Sequence, residues 1–120
     1  MRFAHVMIRV RDLERSIDFY RDLLGLRETG RKEIGDEATL VFLCDEEEQR
    51  VVELTLNKDG RNYDLGNQFG HLAFYTTDLE GVIREVERRR LPFRRSRAEL
   101  KSRYIFVKDP DGYDIEILQG

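Results

Sequence analysis

The sequence predicts an α+β fold made of two tandem β-α-β-β-β modules, and three observations support this prediction. The chain contains an internal repeat. His5 precedes an Asp-Leu-Glu triplet at 12–14, and His71 precedes another at 78–80 with the same spacing. Each triplet continues into an amphipathic helical pattern. Strand-like runs flank both helical patterns in the same order.

The first helix is predicted to begin after Asp12, whose side chain is suited to cap the free N–H groups of a helix start. Gly25 is suited to end this helix, because glycine adopts a left-handed conformation without steric cost. An apolar stripe at helical spacing lies between them, formed by Leu13, Ile17, Tyr20, Leu23 and Leu24.

The second helix is predicted to begin after Asp78 and to end before Pro92, which cannot continue a helix. Its apolar stripe is Leu79, Val82, Ile83 and Val86. The run of arginines at 88–90 is interpreted as a solvated helix end, where cations favour the helix dipole.

The strands of the two modules are predicted from short runs rich in apolar residues. The sequence Asp-Pro-Asp-Gly at 109–112 predicts a tight turn before the last strand, since Pro presets one dihedral and Gly frees another. The expected strands are 3–10, 26–34, 38–44 and 51–57 in the first half, and 71–76, 93–97, 103–108 and 113–118 in the second.

These elements predict one domain over 1–120, with module one at 1–57, a linker at 58–70 and module two at 71–120. The linker segment contains three Gly and two Asn. The mixed sheets are expected to curl into a cleft lined by metal-binding residues.

The composition and the apolar runs argue against nucleic-acid-binding, secreted and membrane-spanning classes of protein. The net charge of −3 gives no general attraction to nucleic acid. The N-terminus lacks the features of a signal peptide, no apolar run is long enough to span a membrane, and the only cysteine cannot form an intramolecular disulfide. The sequence therefore predicts a soluble cytoplasmic protein.

Two histidines and two glutamates occupy matched places in the repeat. His5 and His71 lie in the first predicted strand of each half, and Glu53 and Glu116 lie in the last. Because side chains alternate across a strand, His5, Glu53 and Glu116 are expected to point away from the helix-covered face. Imidazole and carboxylate suit a divalent first-row cation. The spacing alone leaves open that they are unrelated strand residues.

Three segments carry a resemblance to a known family: the opening 1–26, the stretch from VVELTLN at 51–57 to YDLGNQFGHLAF at 63–74, and FVKDPDGYDIEIL at 106–118. The chain resembles the vicinal-oxygen-chelate superfamily, and within it the bacterial glyoxalase I (lactoylglutathione lyase) family. The resemblance implies the glyoxalase/bleomycin-resistance/dioxygenase-like fold.

The resemblance also implies an activity and its metal site. His5, Glu53, His71 and Glu116 would be the metal ligands, completed by two waters, with nickel favoured and cobalt or zinc possible. The reaction would convert the hemithioacetal of methylglyoxal and glutathione into S-lactoylglutathione through an enediolate. Glu116 would be the main proton-transferring base, with Glu53 as its near-symmetric partner.

The family further implies substrate contacts and a partner. Arg9 and Asn57 match positions that hold the glutamyl end of glutathione, and Lys101 and Arg103 fall in the loop that holds its glycyl carboxylate. The family commonly forms a homodimer in which half one of one chain meets half two of the other, so that each site is shared.

Three alternatives remain open at this point. Another enzyme of the superfamily, such as an acyl-CoA epimerase, also needs a proton-shuttling metal site, but usually has Gln where Glu53 stands. A non-catalytic protein that binds a small hydrophobic ligand would lack the metal ligands. A glyoxalase that uses a thiol other than glutathione would have the same four ligands.

Overall fold

A computed structural model describes all residues, 1–120, and divides the chain into two compact units, Met1–Tyr63 and Asp64–Gly120. The boundary falls within 58–70, which contains neither helix nor strand. The chain has no helix of the length and apolar character that crossing a membrane would require.

The first unit is a four-stranded sheet with one helical segment. Along the chain it contains β1 (Val6–Arg9), α1 (Leu13–Asp18), β2 (Arg27–Ile34), β3 (Ala38–Cys44) and β4 (Arg50–Asn57). The strand order is β1-β4-β3-β2, with β1 parallel to β4 and the other neighbours antiparallel. This order places the first and last strands of the module side by side.

The second unit repeats this topology. It contains β5 (His71–Thr76), α2 (Leu79–Arg88), β6 (Phe93–Arg95), β7 (Tyr104–Lys108) and β8 (Asp114–Gln119). The strand order is β5-β8-β7-β6, and β5 is parallel to β8. The α+β class and the two tandem β-α-β-β-β modules predicted from the sequence are confirmed.

The first helix begins as predicted but continues differently. The Asp12 side chain accepts a hydrogen bond of 3.2 Å from the Arg15 backbone N–H. After Asp18 the backbone widens into a π-helical turn, Phe19–Leu23, and the chain then reverses at Gly25 with φ 73°. Phe19 and Tyr20 of this turn are both buried, whereas the predicted apolar stripe included only Tyr20.

The second helix follows the prediction closely. Asp78 caps it by accepting from the Gly81 N–H at 2.9 Å. Its C-terminal end lies at the arginine run, where Arg90 has a φ of 57° and thus adopts the left-handed conformation that terminates helices. Leu79, Ile83 and Val86 are buried, and Val82 is half-buried.

The core of each unit lies between its helix and one face of its sheet, with α1 against β4 and α2 against β8. Alternate strand residues supply it: Ile8, Val41, Leu43, Val52 and Leu54 in the first unit, and Ile105, Val107, Ile115 and Ile117 in the second. The strand β1 is shorter than the predicted 3–10, because its pairing with β4 begins only at Val6. His5 therefore lies immediately before β1.

The turn between β7 and β8 is held by its own backbone and by a buried carboxylate. Asp109 is 5% exposed, and its Oδ1 accepts from the N–H groups of Asp111 and Tyr113, both at 2.9 Å. Gly112 adopts a φ of 92°, and its N–H donates to the Asp109 carbonyl at 3.0 Å. The predicted turn is thus present, and it fixes the start of the strand that carries Glu116.

Candidate metal centre

Each unit brings one histidine and one glutamate together on the sheet face opposite its helix. In the first unit, His5 Nε2 lies 3.4 Å from Glu53 Oε1. In the second unit, His71 Nε2 lies 3.1 Å from Glu116 Oε2. Both carboxylates are mostly shielded, with side chains 12% and 16% exposed, while both imidazoles remain more accessible.

The strand register explains why the two pairs match. Glu53 of β4 lies opposite Met7 of β1, and Glu116 of β8 lies opposite Ala73 of β5. His5 lies two residues before Met7, and His71 lies two residues before Ala73. Because side chains two residues apart point to the same side of a strand, each histidine lies on the same face of the sheet as its glutamate. The parallel pairing of the first and last strands thus creates the same diagonal His–Glu pair in each module.

The donor set suits a divalent cation. A first-row cation binds imidazole nitrogen and carboxylate oxygen at about 2.0–2.2 Å, so two ligands at right angles stand about 3 Å apart. The observed separations of 3.1 and 3.4 Å are close to that value. The chain contains no group of three or more His, Cys, Asp or Glu side chains arranged to hold a metal ion, and each His–Glu pair offers two donors.

The two carboxylates differ in their own hydrogen bonds. Thr55 Oγ1 donates to Glu53 Oε2 at 2.9 Å, so both oxygens of Glu53 have a partner. The matching residue in β8 is Leu118, which cannot donate a hydrogen bond. Glu116 therefore keeps one oxygen, Oε1, without a partner in the chain.

A phenylalanine stands beside each pair. Phe42 of β3 lies opposite Glu53, and its ring centroid is 6.3 Å from that of His5. Phe106 of β7 lies opposite Glu116, and its centroid is 5.0 Å from that of His71 with the rings nearly perpendicular. These aromatic neighbours restrain the imidazoles by edge-to-face contact.

The phenylalanines were missed by our sequence reasoning, although the repeat contains a signal for them. Each module has one Phe between two apolar residues in its third strand, as Val41-Phe42-Leu43 and as Ile105-Phe106-Val107. The flanking residues are buried, so the Phe side chain points to the opposite face, where the His–Glu pair lies.

Two guanidinium groups lie over these rings. Arg50 Cζ is 4.1 Å from the centroid of Phe42, and Arg94 Cζ is 4.7 Å from the centroid of Phe106. Neither arginine forms an ion pair with an acidic side chain, whereas most arginines of the chain do. Arg94 also lines a cavity of about 350 Å³ together with Phe106 and Lys108. Sequence reasoning did not identify either arginine.

The predicted substrate contacts Arg9 and Asn57 come together. Arg9 Nε donates to Asn57 Oδ1 at 3.3 Å, across the neighbouring strands β1 and β4. A third residue that sequence reasoning missed joins them, because the Tyr63 hydroxyl donates to the same oxygen at 3.1 Å. The resemblance to the family had assigned Arg9 and Asn57 to substrate binding and had given Tyr63 no role, although Tyr63 begins one of the segments that carry the resemblance.

The other two predicted contacts are Lys101 and Arg103, which lie at or near the loop between β6 and β7. Arg103 Nη2 is bonded to Glu80 Oε1 of α2, on the helix side of the sheet. Lys101 is exposed in the loop between β6 and β7. Neither residue forms a hydrogen bond or ion pair with His71 or Glu116.

Comparison with known proteins agrees with this architecture. The model of the Glyoxalase/Bleomycin resistance protein/Dioxygenase superfamily matches residues 2–117. A lactoylglutathione lyase of Neisseria meningitidis is 40% identical over 99% of this chain and 91% of its own length. A probable lactoylglutathione lyase of Synechocystis is 38% identical over 99% of the chain and 95% of its own length.

Solved structures of glyoxalase I superpose closely on this chain. A glyoxalase I of Leishmania major, described as trypanothione-dependent, superposes with a TM-score of 0.84 at 36% identity, over 98% of this chain and 86% of that one. Glyoxalase I of Zea mays superposes with a TM-score of 0.86 at 31% identity, over 99% of this chain and 44% of that one. This chain therefore belongs to the Glyoxalase/Bleomycin resistance protein/Dioxygenase superfamily and, within it, to the glyoxalase I family of lactoylglutathione lyases.

Proposed function

We propose that this protein catalyses the metal-dependent conversion of the methylglyoxal–glutathione hemithioacetal into S-lactoylglutathione, which removes methylglyoxal. The observation that carries the proposal is the His–Glu pair that recurs at matched positions, His5 with Glu53 and His71 with Glu116. The relatives that share the whole chain length are named for this reaction, which supports the assignment.

The four side chains would together hold one divalent cation. Two neutral imidazoles and two carboxylates contribute a charge of about −2, which balances that of the cation. Two waters would complete a six-coordinate site. We favour nickel because of the family resemblance, with cobalt and zinc as the other candidates. When bound, the cation would stabilise negative charge on the two neighbouring oxygens of the substrate.

The proton transfer would be the task of Glu116. The hemithioacetal must lose a proton from one carbon and gain it at the adjacent carbon, so the base has to accept and return the same proton. Glu116 suits this role because its Oε1 has no partner in the chain. Glu53 would act mainly as a ligand, since the Thr55 hydroxyl restrains its second oxygen.

A complete site requires two pairs, and we propose that two chains supply them. His5 and Glu53 of one chain would meet His71 and Glu116 of a second copy, giving a homodimer with two equivalent sites. The faces that carry the pairs also carry exposed apolar side chains. By strand alternation Met7 of β1 shares the face of Glu53 and Tyr75 of β5 shares that of His71, and they are 39% and 79% exposed, so both are available to contact a second chain.

The charged ends of glutathione would contact the arginines near the pairs. Arg9 and Asn57 together present donors that suit a carboxylate. Arg94, which has no acidic partner and lies over Phe106, offers a second position for a carboxylate. It suits this role better than Arg103, whose guanidinium is already paired with Glu80. Lys101 stays a prediction from the resemblance.

The proposal is tested on purified protein stripped of metal with a chelator. Activity with the glutathione hemithioacetal should be absent in the stripped protein and should return on addition of Ni²⁺, with Co²⁺ and Zn²⁺ as comparison ions. A panel with hemithioacetals of other thiols and with an acyl-CoA epimerisation assay separates the alternatives. Turnover of the acyl-CoA substrate alone, or metal-independent turnover, would contradict the proposed function.

A further inference from the structure

Tyr63 occupies a position that links the segment after β4 to the end of β1. Its hydroxyl donates to Asn57 Oδ1 at 3.1 Å, and its backbone carbonyl accepts from Arg11 Nη2 at 2.7 Å. The guanidinium carbons of Arg9 and Arg11 lie 5.9 and 5.6 Å from the centre of its ring. Tyr63 is thus held by its backbone, its ring and its hydroxyl.

The contacts of Asn57 fix the orientation of its amide group. The Nε–H of Arg9 is only a donor, so the amide atom that faces it at 3.3 Å must be the oxygen. The Tyr63 hydroxyl donates to the same oxygen, which leaves Nδ2 on the opposite side of the amide. Nδ2 has no hydrogen-bond partner in the chain, so its two N–H groups remain available to a ligand.

We propose that Tyr63 is a positioning residue for the carboxylate-binding pair formed by Arg9 and Asn57. By holding the amide oxygen, it keeps the Nδ2 donors of Asn57 turned outward, where they act with the guanidinium of Arg9 on one carboxylate. The ligand class is therefore a thiol whose end carries a free carboxylate. This inference rests on the proposed function, since that function makes Arg9 and Asn57 part of the substrate site.

The test uses Tyr63→Phe, which removes the hydroxyl but keeps the ring against both arginines. With the Ni²⁺-loaded enzyme and the glutathione hemithioacetal, KM should rise about three- to tenfold while kcat stays within about twofold, because the lost hydrogen bond orients an amide that is used only in binding. The control is Glu87→Gln, an exposed change on α2, which packs against the sheet face opposite the His–Glu pair. Its KM should equal that of the wild type.

A double variant separates positioning from a general structural effect. If Tyr63 acts through Asn57, then Tyr63→Phe should change KM by less than about 1.5-fold in the Asn57→Ala background. An unchanged KM in the single variant, an equal factor in both backgrounds, or a loss of kcat without a change in KM would overturn the proposal.

A readout without substrate keeps the inference distinct from the proposed function. The side-chain amide resonances of Asn57, assigned by their absence in Asn57→Ala, should shift in Tyr63→Phe, while those of Asn67 stay in place. Wild-type protein without turnover would contradict the proposed function, and the resonance comparison would still decide the role of Tyr63. Unshifted Asn57 resonances in Tyr63→Phe would overturn the proposed positioning role of Tyr63.

Discussion

The imidazole of His71 lies 3.1 Å from the carboxylate of Glu116, joined through Nε2 and Oε2. The two residues are brought together by the parallel pairing of β5 with β8, in which Ala73, and not His71, stands opposite Glu116. The contact is therefore diagonal across the sheet. It leaves the second carboxylate oxygen unpartnered, which is the basis for treating Glu116 as the base.

Glu116→Gln should reduce kcat by about 10²–10⁴-fold, the usual contribution of a general base. The substitution keeps the size of the side chain and removes the group that accepts the proton. Circular dichroism and the unfolding temperature should stay near those of the wild type. Glu87→Gln, an exposed change on α2, is the control and should retain full turnover. Near-normal turnover of Glu116→Gln would exclude its assignment as the base.

Thr55→Val should weaken metal binding by about 10–100-fold, since groups that orient a ligand typically contribute that much. The change removes the 2.9 Å hydrogen bond to Glu53 while keeping the shape of a buried side chain. Thr39→Val is a closely matched control, because Thr39 is also buried and donates to Glu33 at 2.8 Å, away from both pairs.

The affinity is measured by competition of the apo protein with a coloured chelator for Ni²⁺. Thr39→Val should bind the ion as the wild type does. Equal affinity in both threonine variants and the wild type would show that the hydroxyl of Thr55 does not orient Glu53.

Much of the fold could be predicted because the repeat, the caps and the turn residues all act locally. Asp12, Asp78 and the turn at 109–112 have the predicted roles, and β3 and β5 have the predicted bounds. The π-helical turn at Phe19–Leu23 was not predictable, since the apolar spacing there fits an ordinary helix equally well. The start of β1 depends on where β4 offers partners, which is a long-range property.

The candidate site could be predicted only in part. Alternation along strands placed His5 and Glu53 on one face, but the 3.4 Å contact between them depends on the register of β1 against β4. The pairing of Arg103 with Glu80 joins a strand to a helix and has no local signal. Tyr63 lies in a segment without regular structure, so no periodic pattern could indicate its contacts.

Arg9→Ala should raise KM for the glutathione hemithioacetal about tenfold and change kcat much less. The reason is that Arg9 would bind the substrate far from the reacting carbons, equally in the ground state and the transition state. Steady-state kinetics on the Ni²⁺ enzyme supply the measurement. Arg84→Ala, which removes an exposed arginine of α2, should leave KM unchanged. If the KM values of both variants match the wild type, Arg9 is only a surface residue.

Glu85 should titrate well below ordinary glutamates. Hydrogen bonds from Arg88 and then Arg89 lower the pKa of its carboxyl from 4.5 to about 2. A group with a lowered pKa in the folded state stabilises the fold above its unfolded pKa, and this contribution is lost as the pH falls through the folded pKa. Glu85→Gln should therefore lower the unfolding temperature slightly at neutral pH. The difference should shrink between about pH 4.5 and 2, and a difference independent of pH would contradict the lowered pKa.

The proposed sharing of sites between chains can be tested with two inactive variants, His5→Ala and His71→Ala. Each alone lacks one ligand in every site, so each homodimer should be inactive. In a mixed dimer, one site would combine both altered modules, and the other would combine both intact modules. After unfolding and refolding an equal mixture, about a quarter of the wild-type activity should return, because half of the dimers are mixed and half of their sites are intact.

The matched control mixes His5→Ala with Glu53→Gln, which both alter module one. Every site in that mixture retains one altered module one, so no activity should return. Native mass spectrometry of differently tagged chains shows that mixed dimers have formed. If mixed dimers form and the His5→Ala and His71→Ala mixture stays inactive, each site lies within one chain. If sites are shared between chains, activity should return in the His5→Ala and His71→Ala mixture and not in the control mixture. Only in the first mixture can one site be formed from two intact modules.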